Sequence, residues 1–221
     1  MIQRSVELYS TYKIFITLLS NQMFVSASIV KMDAEPELTA EKIYNRIAEL
    51  LSASSSQIIL ERCFANVGIQ KKILEARERA FRRRELETNT PITFVDGESC
   101  LENKFAGIQI RAIKTSTENR VRTIFDQRIS KGRTWSIDGS TFFILQSVDG
   151  EKTNDEKYID RKSQSEAMFR QAERILRAEG SSYQDVVRTW IYISDILEWY
   201  DDFNAVRNHC YSDYGFLENT T

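Results

Sequence analysis

The sequence predicts an α+β protein made of two tandem copies of one unit, in which a mainly antiparallel sheet carries two helices on one face. Two observations support this fold class. Strand-like and amphipathic helix-like segments follow one another in the same order in both halves of the 221-residue chain, and segments of the second half resemble segments of the first. Elements of this kind pack in two layers, with the apolar side of each helix against the sheet.

The first copy begins with an amphipathic strand and continues through segments of clear periodicity. In its first helix Ile43, Ile47 and Leu51 fall on one face, as expected for a helix that packs on a sheet. Glycine and serine separate its last two strands. The predicted elements are strands over 21–33, 56–67, 92–97 and 104–114, and helices over 38–54 and 68–86.

The second copy repeats this pattern. Residues 140–150 resemble the strand at 23–30, and residues 172–193 resemble the helix and strand at 47–64. A repeated segment of this length indicates two units rather than one irregular domain. The predicted domains are 1–114 and 120–221.

The end of the second copy is predicted to be incomplete. The β-branched and aromatic run 189–193 predicts a strand, and the apolar side of 198–214 predicts a helix that covers it. The first copy uses residues 90–114 for two strands after its second helix, whereas only residues 217–221 follow in the second copy. We therefore expect a second sheet that lacks its last two strands and exposes an unpaired edge. Such a chain is expected to associate through this edge or to continue beyond the present sequence.

Composition argues against several classes of function. The formal net charge of −2 provides no strong field for nucleic acid or an anionic membrane. The three cysteines are widely spaced and His209 is the only histidine, so we expect no disulfide framework, no His/Cys metal site and no histidine-dependent nucleophile. No segment approaches the roughly 20 apolar residues of a membrane span. We expect a cytoplasmic protein with no metal, no organic cofactor and no membrane partner.

The basic run 71–85 has two interpretations. Its seven basic and three acidic side chains could form a phosphate-binding face. Alternatively, they form the solvated face of a helix, because the charges are spaced for ion pairs and no aromatic or glycine-rich nucleic-acid motif accompanies them. The sequence favours the second interpretation, and with it a protein without a nucleic-acid partner.

The segment 172–206 resembles the Rid superfamily, the reactive intermediate deaminases or YjgF-type proteins. Its helix ends in Gly-Ser, a strand then begins with Asp-Val-Val-Arg, an Asp marks the next turn, and the following helix begins around Asp-Phe. These positions are Gly180-Ser181, Asp185-Val186-Val187-Arg188, Asp195 and Asp202-Phe203. The first copy is more weakly similar, over 47–67 and 90–113. With its tandem arrangement and the run 188–211, the chain looks most like the chorismatase-like branch.

This resemblance implies a chorismate-mutase-like fold, in which barrels associate through their sheets as trimers or pseudo-trimers, with ligand clefts between them. It also implies that the chain binds or converts a small carboxylate metabolite, by imine or enamine deamination or by chorismatase-like hydrolysis. In the deaminases an arginine after the second helix holds the substrate carboxylate through a bidentate hydrogen bond. The matching position here is Ile92, and the second copy ends before it. Neither copy therefore shows this anchor.

The candidate substrate-binding residues are Arg207, Trp190 and Tyr192. Arg207 falls where the family has an asparagine, and would supply a cation to a cleft; an exposed helix arginine explains it equally well. Trp190 and Tyr192 lie on the predicted strand beside the unpaired edge. The sequence assigns no catalytic residue. A non-catalytic metabolite-binding or assembly module therefore stays open as an alternative. An endoribonuclease is a further alternative, because some relatives have been described as ribonucleases.

Other candidates have ordinary structural explanations. Tyr158, Asp160 and Arg161 could line a cleft, but a helix-capping aspartate and a surface arginine explain them equally well. Cys63 and Cys100 have no neighbouring motif that would favour a thiolate, so we expect both to be buried structural residues.

Overall fold

The chain divides into two units, one built of strands and helices and one whose described part is helical. A computed structural model describes residues 2–31, 35–116, 120–150 and 160–216. The units are Met1–Ser147 and Val148–Thr221. The α+β class of the chain agrees with the prediction from the sequence.

The first unit is built around a six-stranded sheet. Its strands are β1 (Ile2–Leu8), β2 (Tyr12–Leu19), β3 (Gln22–Ile29), β4 (Ser56–Ala65), β5 (Thr93–Asp96) and β6 (Phe105–Lys114). They lie in the order β1-β2-β3-β6-β4-β5, and neighbouring strands are antiparallel except for the parallel pair β4 and β5. The strands predicted in this part of the chain are confirmed, each within a few residues.

Two helices cover one face of this sheet, as predicted. The first helix, α1 (Pro36–Ser54), begins with a proline, whose missing N–H is not needed in the first turn. The second, α2 (Gln70–Arg82), follows a short 3₁₀ turn. Ile43 and Ile47 of α1 lie fully buried in the core with Val25 and Ile110 of the sheet. Burial of each such side chain stabilises the fold by about 1.5–3 kcal/mol.

A three-stranded sheet packs on the opposite face. Its strands, β7 (Arg122–Asp126), β8 (Ile129–Ile137) and β9 (Ser140–Leu145), form an antiparallel meander. Trp135 of β8 packs against Ile59 and Ile113, which point away from the helices. The sequence analysis assigned no element to 120–139. Contacts within the chain group β7, β8 and β9 with the first unit, and the tandem-domain boundary near 114–120 stays a prediction.

The second unit contains two helices, α3 (Arg161–Ala178) and α4 (Ile196–Asp213). An aromatic core holds them together: the ring of Phe169 on α3 lies 6.5 Å from that of Phe203 and 5.9 Å from that of Tyr211, both on α4. The Asp160 carboxylate accepts a 2.8 Å hydrogen bond from the Ser163 backbone N–H and caps α3. This supports the capping explanation of Asp160.

Two sequence-derived candidates near α3 are now placed. Arg161 pairs with Asp195 at 2.9 Å and with Glu198 at 3.3 Å on the protein surface, as a surface arginine does. Tyr158 lies outside the described residues.

The strand predicted over 189–193 is not formed. Residues 186–193 make neither helix nor strand, and Val187 is fully exposed. The expectation that apolar residues on both sides of this segment must be covered is therefore wrong. A strand needs a hydrogen-bonded neighbour, and β4 has two, whereas no described strand pairs with this segment.

Among the described residues, none of the helices is both long and apolar enough to cross a membrane.

Candidate functional site

The three predicted ligand residues lie in the second unit and make local contacts. Arg207 on α4 is half-buried and donates a 3.2 Å hydrogen bond to the adjacent Asn208 Oδ1. Trp190 is 61 % exposed, and the Arg188 guanidinium lies 5.6 Å from its ring. Tyr192 is also exposed. A ligand-binding role for Arg207, Trp190 and Tyr192 stays a prediction.

Five cations on and just after α2 are engaged in ion pairs, four of them with carboxylates of α1. These pairs are Lys72–Glu37, Arg79–Glu41, Arg83–Glu41, Arg84–Glu49 and Arg82–Glu78. Exposed pairs of this kind contribute little to stability. A phosphate would nevertheless have to displace a carboxylate at each of these side chains, which supports the interpretation of a solvated helix face.

An interior ion pair joins β4 to α2. The Glu61 side chain is completely buried, and Arg77 is 4 % exposed. Arg77 Nε and Nη2 donate to the Glu61 carboxylate at 2.9 and 2.8 Å. The remaining donors reach the carbonyl oxygens of Thr88 and Thr90 and the Thr90 hydroxyl. Burial lowers the pKa of Arg77, but the Glu61 carboxylate more than offsets this and leaves that pKa above its usual value.

The side chain of Gln146, just after β9, ties the two sheets together. Its Oε1 accepts a 2.7 Å hydrogen bond from the Glu61 backbone N–H, and its Nε2 donates to the Pro91 carbonyl at 2.8 Å. The next residue, Ser147, donates through its hydroxyl to the Ile92 carbonyl. The end of the three-stranded sheet is thereby fixed against the edge of β4.

A second buried arginine, Arg133, lies on β8. Its Nη1 donates to Glu87 Oε2 at 2.8 Å and to the Thr123 hydroxyl. The Thr123 hydroxyl donates in turn to Glu87 Oε1 at 2.8 Å. Arg133 is buried, and within the described part of the chain neither its Nε nor its Nη2 has a hydrogen-bond partner. A buried donor left without a partner costs about 1–3 kcal/mol.

The surroundings of Arg133 are tight and polar. Burial lowers its pKa, and the Glu87 carboxylate restores only part of that loss. Lys131, also on β8 and buried, donates to the Ser147 carbonyl at 2.6 Å. Gly132 lies between them, where a Cβ atom would be 2.7 Å from the Ile144 carbonyl oxygen. Only a glycine lets β8 approach β9 this closely without a shift of the backbone.

We call the group formed by Glu61, Arg77, Glu87, Thr123 and Arg133 the buried charge cluster. The cluster was not predicted from the sequence, although two signals of it were present. Arg77 falls on the apolar face of α2, and Glu61 alternates with Cys63 on the helix-facing side of β4. A charged residue at a position of core periodicity indicates a buried ion pair.

Cysteine and tyrosine side chains near this cluster remain neutral. Burial raises the pKa of the Cys63 thiol well above its usual value, so Cys63 is a structural residue, as expected. The expectation is wrong for Cys100, which is exposed in a turn. The Tyr44 side chain is fully buried beside Glu61, and burial raises the pKa of its hydroxyl.

The second unit has a shallow groove of about 270 Å³ between α3 and α4. Its charges are largely paired along the helices, for example Arg177 with Glu173 at 2.6 Å and His209 with Asp213 at 3.6 Å. No group of His, Cys, Asp and Glu side chains among the described residues could hold a metal ion. Three carboxylates against two arginines give the groove a net negative charge with His209 neutral, so it does not favour an anionic ligand. It is lined by Glu166, Arg170, Glu173, Arg177, His209, Cys210, Asp213 and Tyr214.

Comparison with known proteins shows the fold. No protein-family model matches the sequence, and no curated protein is similar to it. Among solved structures, the chain is similar to a crystal structure of a chorismatase, with a TM-score of 0.62 and 10 % sequence identity. The match covers 98 % of this chain and 72 % of that chain. The chain therefore has a chorismatase-like fold.

Proposed function

We propose that this chain binds a small carboxylate-bearing metabolite in its first unit. The observation that carries the proposal is Arg133, a buried arginine with hydrogen-bonding capacity that the described residues leave unused. Buried guanidinium groups are normally satisfied by carboxylates or carbonyls. An anionic ligand would satisfy these donors in a medium where each such bond is stronger than in water.

We further propose that the chain is a tandem Rid-superfamily protein of the chorismatase-like branch. The order of elements supports this. Three strands, a helix, the strand β4 and a helix in the first copy correspond to β7, β8 and β9, α3, the segment 186–193 and α4 in the second. The chorismatase-like fold is consistent with it. By this proposal the ligand belongs to the chemical class of small acids that includes the substrate after which a chorismatase is named.

Ligand binding is tested by thermal unfolding of the 221-residue chain with a panel of small carboxylates that includes chorismate and 2-oxo acids. A ligand at 100 times its Kd stabilises the folded state by about 2.7 kcal/mol. For a protein of this size that corresponds to a rise in Tm of about 5–10 °C. Calorimetric titration checks the hits. If no carboxylate raises Tm or gives heat of binding, the proposal fails.

Binding and conversion are separated by following the products. Release of ammonia from an imine generated in solution would identify a deaminase, and loss of chorismate would identify a chorismatase-like hydrolase. Stabilisation by a ligand that is recovered unchanged would identify a non-catalytic metabolite-binding module. The endoribonuclease hypothesis has no supporting contact, since the outward cations of α2 named above are paired with carboxylates.

We also propose self-association through sheet faces, as a trimer or pseudo-trimer. On the face of the six-stranded sheet opposite the helices, Val6, Phe15 and Phe24 are exposed on β1, β2 and β3. Exposed apolar side chains clustered on a sheet mark an interaction surface. Sedimentation of the wild type and of the Phe15→Glu variant is the test. A wild type that stays monomeric at high concentration contradicts this proposal.

A further inference from the structure

The unpartnered nitrogens of Arg133 lie together on one edge of its guanidinium. The group is planar, and covalent geometry places Nη1 on the side of Cδ, so that the Nε–H and one Nη2–H point in parallel along the opposite edge. Nη1 is occupied by Glu87 and Thr123. The two nitrogens without a hydrogen-bond partner among the described residues are those of the other edge.

This edge has the shape that recognises a carboxylate. Two parallel N–H donors match the two oxygens of a carboxylate and make a bidentate, charge-assisted pair. A water molecule has a single oxygen, so it cannot give each of the two N–H donors its own acceptor. The chemistry of the free edge thus indicates a planar, two-oxygen acceptor.

Charge distinguishes a carboxylate from a phosphate, which is also able to bind an arginine through two oxygens. Within the buried charge cluster, the two arginines are balanced by Glu61 and Glu87. A monoanion adds one charge to this balanced set, whereas a dianion adds two in a place where charges are poorly solvated. The cluster therefore favours a monocarboxylate.

The cluster also holds Arg133 in place. Glu87 and Thr123 are hydrogen-bonded to each other and both accept hydrogen bonds from Nη1, so they fix the position of the guanidinium at that end. The Arg133 side chain is 1 % exposed and that of Glu87 is 35 % exposed. Solvent therefore reaches the Glu87 side of the guanidinium, whereas the free edge lies in the interior.

We propose that the Nε–Nη2 edge of Arg133 binds the carboxylate of a monoanionic ligand, with Glu87 and Thr123 as positioning residues. This inference rests on the proposed function, whose ligand it assigns to a particular atom pair. The assignment is specific, because a lysine at this position would keep the positive charge and lose the pair of parallel N–H donors.

The test compares Arg133→Lys with wild type, using benzoate, benzamide and phenylphosphonate as probes. Calorimetric Kd values are expected to show that Arg133→Lys weakens benzoate binding by about 10- to 100-fold, the range for loss of a hydrogen bond to a charged group. Binding of benzamide, which is weaker in the wild type, is expected to change little. Arg82→Lys, a substitution of an exposed arginine on α2, is the matched control and should bind benzoate as the wild type does.

The outcomes separate this inference from the proposed function. If wild type and Arg133→Lys bind benzoate equally, Arg133 is not the anchor, while the proposed function stands. If the phosphonate binds wild type more tightly than benzoate does, the carboxylate class is wrong. If neither these probes nor any carboxylate of the wider panel binds wild type, the proposed function itself fails.

A crystal structure of the wild type grown with benzoate gives an answer even where Arg133→Lys does not fold. The carboxylate is expected on Nε and Nη2 of Arg133. An ordered water alone on that edge, or benzoate elsewhere, overturns the inference.

Discussion

Replacing Arg77 by methionine should destabilise the first unit strongly. Glu61 would keep its charge at a site with no exposed surface and would lose every hydrogen bond from the guanidinium. Removal of one partner from a buried ion pair costs about 3–5 kcal/mol. With a urea dependence of about 2 kcal/mol/M, the unfolding midpoint should fall by about 2 M.

The urea midpoint is measured from the fluorescence of Trp135. This residue is 5 % exposed between the two sheets of the first unit. The other two tryptophans, Trp190 and Trp199, belong to the second unit, so both are replaced by phenylalanine in the background used for every variant followed by fluorescence. The matched control is Arg82→Met on the outer side of α2, which breaks an exposed pair and should cost about 1 kcal/mol or less.

A double-mutant cycle tests the cause of this loss. Because Glu61→Leu with Arg77→Met removes both charges from the core, the double variant should be more stable than Arg77→Met alone. A loss below about 1 kcal/mol in Arg77→Met, or strictly additive losses in the cycle, would refute this account.

Three further perturbations test other parts of the structure by urea unfolding. Gly132→Ala places a Cβ 2.7 Å from the Ile144 carbonyl oxygen and should cost about 1–3 kcal/mol; an unchanged midpoint would show that β8 and β9 are further apart. Hydrogen bonds from Arg79 keep the pKa of Glu41 below its usual 4.5, so wild type should lose up to about 1 kcal/mol as the pH falls below that value. Glu41→Gln should lack this dependence, and parallel stability curves of the two proteins would contradict it. Trp190→Ala, made in the otherwise unchanged chain and followed by circular dichroism, should change stability by no more than about 0.5 kcal/mol, because the side chain is largely exposed; a loss above 1 kcal/mol would show that segment 186–193 is covered in solution.

Helices were predicted well because their signal is local. The helix predicted over 38–54 forms as Pro36–Ser54, since Ile43 and Ile47 recur at the helical period and their burial depends on little else. In contrast, β8 was missed because Lys131 and Arg133 point inward, where the alternation of a strand would place apolar residues.

Elements and sites that depend on distant partners were not predictable in this way. Residues 189–193 have strand composition, but a strand exists only where another strand supplies its hydrogen bonds. The pairs Glu61–Arg77 and Glu87–Arg133 join different elements, and nothing in a single sequence states which charges meet. The candidate substrate-binding residues came from a family resemblance, whereas Arg133 emerged only from the hydrogen bonds it lacks among the described residues.

Gln146 imitates a peptide group. A primary amide carries one carbonyl acceptor and a donor of the kind found in the backbone, and this side chain uses both, toward the Glu61 N–H and the Pro91 carbonyl. It occupies the place beside β4 just before β5 begins pairing at Arg62. A residue 85 positions away thus fills a rung of the ladder that the local chain leaves open, and it blocks that stretch of edge from pairing with a foreign strand. Loss of the smaller sheet would remove the acceptor of the Glu61 N–H, so the two sheets should unfold together in one cooperative transition.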